Sequence, residues 1–296
     1  IGIICAAGAL ATLIPPSVVL IVYGLAAQVS ITKLFAASAV PGLILAGLYI
    51  TYILVRVRLK PEMAPIYDIP ETALPFFQRL KFLKGIILPA ILIGTVLGVI
   101  YSGVATVTEA AAIGAIGALV VAAARKELKW TMARDAMRQT VITVGSIIWL
   151  VIGAVSLIGI YNRIGGGDFL RGVLTTLDIG PIWVIVVMML IVMLLGTFLE
   201  WIAIIFITVP IFAPVVIDLG FDPVWFGVLF AMNIQMYYLS PPFGPACFFL
   251  KSVAPKDITL QEIFVAVLPF IALQAVGLAL VLFNPKIALW LPSLFE

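Results

Sequence analysis

The sequence predicts an all-α, polytopic membrane protein with broken helices, and three observations carry that prediction. Of 296 residues, 64% are hydrophobic and 10% charged, against roughly 25% charged in an ordinary soluble protein. The mean hydropathy is +1.27. Apolar runs recur that are long enough for a helix to cross the hydrocarbon core, which takes about 20 residues, and proline pairs interrupt two of them. A soluble globule covers its surface with polar groups, and 17 Lys/Arg with 14 Asp/Glu are too few for that. Soluble enzymes, disordered chains and nucleic-acid binders are thereby excluded. The net charge of +3 is confined to loops and speaks to topology rather than to an acidic partner.

In chain order the apolar segments are 1–28, 32–55, 85–103, 105–124, 141–160, 181–217, 224–250 and 262–291. The run 181–217 is too long for one span and holds Gly196, Glu200 and Pro210. It is read as a span over 181–195 and a helix-turn-helix over 196–217. Each half of that second piece is too short to cross, so it enters the membrane and returns. Arg56, Arg58, Lys60, Arg79, Lys81 and Lys84 lie on one connection; Arg125, Lys126, Lys129, Arg134 and Arg138 lie on the next but one. Both read as cytoplasmic. Within the second, 127–137 is amphipathic and suits either the membrane interface or a solvated loop helix. Because Ile1 stands inside an apolar stretch with no initiator Met, the chain reads as a fragment.

Missing residue types remove several chemistries. There is no His, so imidazole metal sites and His-based triads are out. Cys5 and Cys247 sit in separate apolar segments, away from metal-ligand spacing, and read as small core residues.

The two interruptions resemble each other. The first is Thr12-Leu-Ile-Pro15-Pro16-Ser17 and the second Leu239-Ser240-Pro241-Pro242-Phe243-Gly244. After them come Ile31-Thr32, Phe35 and Pro41 in one case and Ile258-Thr259, Phe264 and Pro269 in the other. That pattern predicts an internal repeat. An inverted repeat needs an even number of crossings between the breaks. This segmentation gives an odd one, so either one segment does not cross or the repeat is parallel. Adjacent prolines remove two backbone donors and disfavour helix before them. Unwound backbone survives in a membrane only where it is buried or lines a cavity. Paired broken helices are the sequence mark of a secondary transporter's midplane site, where half-helix N-termini suit an anion and freed carbonyls suit a cation. A pair of purely structural kinks is the plainer alternative.

Glu109, after two threonines, suits a helix start. Glu200 either attracts cations or is a water-facing tip residue. Asn233, seven residues before Ser240 and on the same helix face, reaches the ion or substrate region or bonds a neighbouring helix. Arg163 and Arg171 flank the turn-like Gly165-Gly166-Gly167-Asp168 and read as solvated more readily than as a carboxylate clamp.

Taken in order, these motifs resemble the large membrane subunit of tripartite ATP-independent periplasmic (TRAP) transporters. The resemblance rests on Gly8…Pro15-Pro16-Ser17…Tyr23-Gly24, on Thr106-Val-Thr-Glu109 and on Gly196-Thr-Phe-Leu-Glu200…Pro210…Pro214. It rests equally on Gly220-Phe-Asp222-Pro223-Val-Trp-Phe-Gly227…Asn233…Ser240-Pro-Pro-Phe-Gly244. It covers about residues 1–290 and looks like the C-terminal two-thirds of such a subunit, whose members carry further spans and a first hairpin upstream. Two departures stand out: Val107 replaces a common Pro, and Ser240 replaces a common Thr while keeping the hydroxyl.

The resemblance implies a sodium-coupled importer of the bacterial inner membrane, working as an elevator, with sodium as coupling ion and no other cofactor. A periplasmic solute-binding protein would hand over an organic anion of the carboxylate class, and a small membrane subunit would brace the scaffold in the bilayer. It places ion and substrate contacts at Thr12, Pro15, Pro16 and Ser17 in one half. In the other it places them at Gly196, Thr197, Ser240, Pro241, Pro242 and Gly244, with Asn233 added from its position. The resulting division is 1–57 (end of the first repeat), 58–84 (cytoplasmic connection), 85–195 (scaffold spans and interfacial arm), 196–253 (hairpin and broken helix) and 254–296 (C-terminal span). The rival readings are a channel with a fixed filter at the Pro-Pro breaks and, more remotely, an intramembrane enzyme or a scaffold without a site.

Overall fold

Apolar runs without water to solvate their backbone satisfy every N–H and C=O internally, and a helix is the local way to do so. The structure, a computed structural model, describes residues 1–63, 76–176, 180–255 and 257–294; every regular element in them is helical. In order these are α1 (Gly2–Leu10), α2 (Val18–Ala27), α3 (Ile31–Leu59), α4 (Phe76–Tyr101), α5 (Val107–Ala124), α6 (Trp130–Arg163) and α7 (Gly166–Thr176). Then follow α8 (Pro181–Leu195), α9 (Trp201–Asp218), α10 (Pro223–Leu239), α11 (Pro245–Val253), α12 (Leu260–Phe283) and α13 (Lys286–Leu289). Five helices among the described residues are long and apolar enough to cross a membrane: α3, α5, α9, α12 and the Trp130–Tyr161 part of α6. The chain is a multi-pass membrane protein.

Several expected boundaries move. α6 is one uninterrupted helix of 34 residues from Trp130, so residues 130–137 of the amphipathic stretch run on into the following span instead of ending in a loop. α4 begins at Phe76, inside the predicted 58–84 connection, and residues 64–75 of that connection lie outside the described residues. Gly166 and Gly167 open α7 instead of forming a turn; Gly165, at φ 78°, is the only residue of that run with left-handed backbone. The last span stops at Phe283, where Asn284 caps α12 and Pro285 follows.

The chain divides into two compact units, Ile1–Thr51 with Gly145–Glu296, and Tyr52–Val144, the division falling within α3 and α6. In the second unit α4 and α5 pair as an antiparallel hairpin, with Val96 beside Gly114 and Leu92 beside Gly117. Thr106 and Glu109 start α5 as a capping box: the Thr106 hydroxyl accepts from the Glu109 N–H at 3.3 Å, and the Glu109 carboxylate accepts from the Thr106 N–H at 2.7 Å. That satisfies two otherwise orphaned helix-start donors, and it makes Glu109 structural.

The first unit is organised around α10. All its residues from Val224 to Tyr237 are buried, which explains why this helix shows no polar face. α1, α2, α8, α9, α11, α12 and α13 all pack on it. Asp222 caps its start, accepting from the Val224 N–H at 2.6 Å, and Trp225 donates its indole N–H to the Val281 carbonyl of α12 at 2.9 Å. Tyr23 of α2 donates its hydroxyl to the Pro223 carbonyl at 2.8 Å and lays its ring against Phe226 and Phe230. Tyr23→Phe is expected to cost about 1 kcal/mol, the usual net value of one buried hydrogen bond. Reversible unfolding in mild detergent measures it; an unchanged midpoint would mean the Pro223 carbonyl finds another donor.

Candidate functional site

Each Pro-Pro pair ends one helix and lets another begin. α1 stops at Leu10 and α2 starts after Ser17; α10 stops at Leu239 and α11 starts after Gly244. The Pro15–Pro16 and Pro241–Pro242 peptides are both cis. A helix closes by bonding each carbonyl to the N–H four residues on, and prolines at 15, 16, 241 and 242 cannot supply it. The carbonyls of Ala11, Thr12, Tyr237 and Tyr238 are therefore released. Two are reclaimed: the Ser17 hydroxyl donates to the Thr12 carbonyl, and the Ser240 N–H donates to the Tyr237 carbonyl at 3.0 Å. The other two, Ala11 in the first break and Tyr238 in the second, accept no hydrogen bond among the described residues. Neither position was singled out from the sequence, although the i+4 rule applied to each proline would have found them.

The hydroxyls at these turns have their protons committed. Thr12 donates to the Ala9 carbonyl at 2.8 Å, Thr197 to Leu194 at 2.7 Å and Ser240 to Met236 at 2.6 Å. A hydroxyl whose proton points into its own helix leaves its lone pairs free to accept, the orientation a cation requires. Ser17 also caps α2, accepting from the Leu20 N–H at 3.4 Å. Pro15 and Ser17 are buried, whereas Pro16, Pro241 and Pro242 are exposed. Gly244 takes left-handed backbone, φ 33°, and its N–H donates to the Ser240 carbonyl at 2.9 Å.

The hairpin turns in a different place from the one expected. Instead of a helix-turn-helix within 196–217, residues 201–218 form one helix, α9, that contains both Pro210 and Pro214. The turn is at 196–200, between α8 and α9. Membrane helices tolerate interior proline where packing supports the freed carbonyl, and α9 runs through Pro210 with the Thr208 hydroxyl donating back to the Ile204 carbonyl at 2.7 Å. The sequence signal for the true turn is Gly196 followed by Glu200, whose carboxylate caps α9 by accepting from the Ile202 N–H at 3.0 Å.

This turn is pressed against the end of α10. A Cβ added at Gly196 would lie 2.5 Å from Cγ of Tyr237, and the Tyr237 hydroxyl reaches the Trp201 backbone near Glu200. Asn233, buried one turn earlier, donates its amide to the Met189 carbonyl of α8 at 2.6 Å. Of its two expected roles, this is the helix–helix bond. Gly196, Thr197, Asn233 and Ser240 are thus gathered by α10. Thr12 to Ser17 approach the same helix through α1 and α2, which both pack on it. Cys5 and Cys247, distant in sequence, also meet where α1 packs on α11: the Cys5 thiol donates to the Ala246 carbonyl at 3.7 Å, and both thiols are free and buried. Arg163 is exposed and takes no part; the side chain of Arg171 lies outside the described residues.

A family model for the tripartite ATP-independent periplasmic transporter, DctM component, matches residues 1–287. The chain belongs to this family. It is 31% identical over 297 residues to the C4-dicarboxylate TRAP transporter large permease protein DctM of Pseudomonas aeruginosa, an alignment that takes in 99% of this chain and 67% of that protein. The sialic acid TRAP transporter large permease protein SiaM of Vibrio cholerae is 30% identical over 297 residues, with the same coverage. The ectoine/5-hydroxyectoine permease UehC of Ruegeria pomeroyi is 29% identical over 298 residues, again covering 99% of this chain and 67% of that protein. As a DctM-family chain the protein is a transporter permease component and not an enzyme.

Proposed function

We propose that this DctM-family chain carries the ion and substrate site of a sodium-coupled importer of the inner membrane. The solute is an organic anion of the carboxylate class, handed over by a periplasmic solute-binding protein, with a small membrane subunit alongside. The observation that carries this reading is the matched chemistry of the two breaks. In each, one carbonyl released by a proline, Ala11 or Tyr238, accepts no hydrogen bond among the described residues, beside hydroxyls whose protons already point elsewhere. Uncharged oxygens of this kind suit a hard monovalent cation, and the N-termini of α2 and α11 supply the positive dipole ends that suit an anion.

The hairpin gives the reading its topology. In this reading α8 and α9 enter and leave on one side, although α9 is long enough to cross, and the crossings between the breaks are α3, α4, α5 and α6. An even number makes the second break an inverted copy of the first, the arrangement in which one repeat moves against the other around a fixed site. Sodium at the breaks would order the 196–200 turn, so solute would bind well only with the ion in place. By linkage each ligand then raises the affinity of the other by the same factor.

The test is uptake into proteoliposomes holding the full-length subunit with its small subunit and binding protein, under an imposed sodium gradient and without ATP. Ser240→Ala removes one candidate ligand. It is expected to raise the sodium concentration for half-maximal uptake about tenfold, the equivalent of roughly 1.4 kcal/mol, with the solute affinity of the binding protein unchanged. Uptake indifferent to sodium overturns the coupling, and non-saturating flux without a gradient would favour a channel instead.

A further inference from the structure

The interface of α3, α10 and α12 holds three polar side chains that the transport site does not use. Tyr49 on α3 is 4% exposed, Gln235 on α10 is 0% and Gln274 on α12 is 1%. Their positions follow from the helix register. Trp225 of α10 reaches Val281 of α12. Further along, Met232 lies 3.4 Å and Leu45 of α3 3.3 Å from the Cβ position of Gly277. α10 and α12 are therefore antiparallel, and three residues on from Met232 and three back from Gly277 bring Gln235 and Gln274 to one level. α3 arrives at the same level: the Tyr49 ring meets Phe270 edge-on at 5.3 Å, and its hydroxyl lies beside the Gln274 amide. No well-formed hydrogen bond satisfies the Tyr49 hydroxyl or either polar atom of the two amides.

Such a cluster in the interior of a membrane protein needs partners. The chemistry of the five atoms selects the partner. A cation would serve the two amide oxygens and the hydroxyl but would face two NH2 groups. An anion would serve the NH2 groups and face the oxygens. Direct pairing of the amides with each other consumes one donor and one acceptor from each side and leaves the rest. Water donates and accepts, and a buried water typically makes about three such bonds.

We propose that Tyr49, Gln235 and Gln274 enclose a bound-water site that ties α3, α10 and α12 together. Gln235 stands five residues before Ser240, about 7.5 Å along the helix, so this site anchors the last turns of α10 beneath the second break. Oxygen atoms exchange with bulk water only through the packed core, which makes the site detectable by radiolysis.

X-ray hydroxyl-radical footprinting of the intact protein in lipid nanodiscs tests it, because radiolysis of a bound water creates the radical in place. Tyr23 is the comparator: the same residue type, 0% exposed, with its hydroxyl bonded to a protein carbonyl. Tyr49 is expected to be oxidised several-fold faster than Tyr23. In Gln235→Leu/Gln274→Leu its rate is expected to fall to that of Tyr23. Equal rates in the wild-type protein overturn the proposal. So does fast oxidation of Tyr49 that persists in the double variant, since the radical would then come from bulk solvent. Slow oxidation of Tyr23 in the variant reports that its core is intact; if the variant does not fold, the wild-type ratio still decides.

Discussion

Gly196→Val is expected to reduce uptake at least about tenfold while the protein remains in the membrane and folded. The Cβ of any residue at 196 would sit 2.5 Å from Cγ and 2.8 Å from Cβ of Tyr237, far inside van der Waals contact. Tyr237 is 2% exposed and cannot swing into solvent, so the 196–200 turn must withdraw from α10. Overpacking of this kind costs about 1–3 kcal/mol. At an exposed-ended turn most of it is relieved by displacement of the turn itself rather than by unfolding. Displacement draws Thr197 and Glu200 away from the end of α10 at Tyr237, and the ordered state that binds solute becomes rarer by the same factor. Gly196→Ala should fall between wild type and Gly196→Val in the proteoliposome assay. Wild-type uptake by Gly196→Val would mean that close approach of the turn to α10 is not required for transport.

How much of this was legible in the sequence differs from residue to residue. The two Pro-Pro breaks, the helical membrane class and the start of α5 at Thr106 and Glu109 were all readable, because each depends on local chemistry: missing donors, apolar length, a side chain reaching its own helix end. The hairpin turn was misplaced by the same kind of local reasoning. Pro210 reads as a breaker in water, yet within α9 the helix continues through it. Gly196 was singled out, but what makes it the turn is Tyr237, 41 positions further along the sequence, which a side chain at 196 would strike. Asn233 was found but its partner on α8 was not. The meeting of Cys5 with Cys247, and the cluster of Tyr49, Gln235 and Gln274, depend on tertiary register. In a chain with 64% hydrophobic residues, apolar periodicity cannot fix that register because nearly every face is apolar.

Gly227→Val should show what holds the two breaks in place relative to each other. A Cβ at 227 would lie 2.5 Å from Cε1 of Tyr23 and 2.7 Å from Cδ2 of Leu34, so this glycine is what lets α2 lie directly on α10. Tyr23 has no exit: it is 0% exposed, bonded to the Pro223 carbonyl and wedged against Phe226 and Phe230. The clash is therefore borne by the packed core, and the expected loss is about 3 kcal/mol, the upper end of the overpacking range. Reversible unfolding in detergent measures it, with Gly227→Ala expected to lose less. Tyr23→Ala in the Gly227→Val background should recover part of the loss, because it removes the ring that the new side chain strikes; additive losses would place the strain elsewhere. Since α2 begins at the first break and α10 ends at the second, whatever fraction folds should also need more sodium for half-maximal uptake. A destabilised protein with an unchanged sodium requirement would separate the two effects, and it would show that the breaks hold their ions independently of the α2–α10 contact.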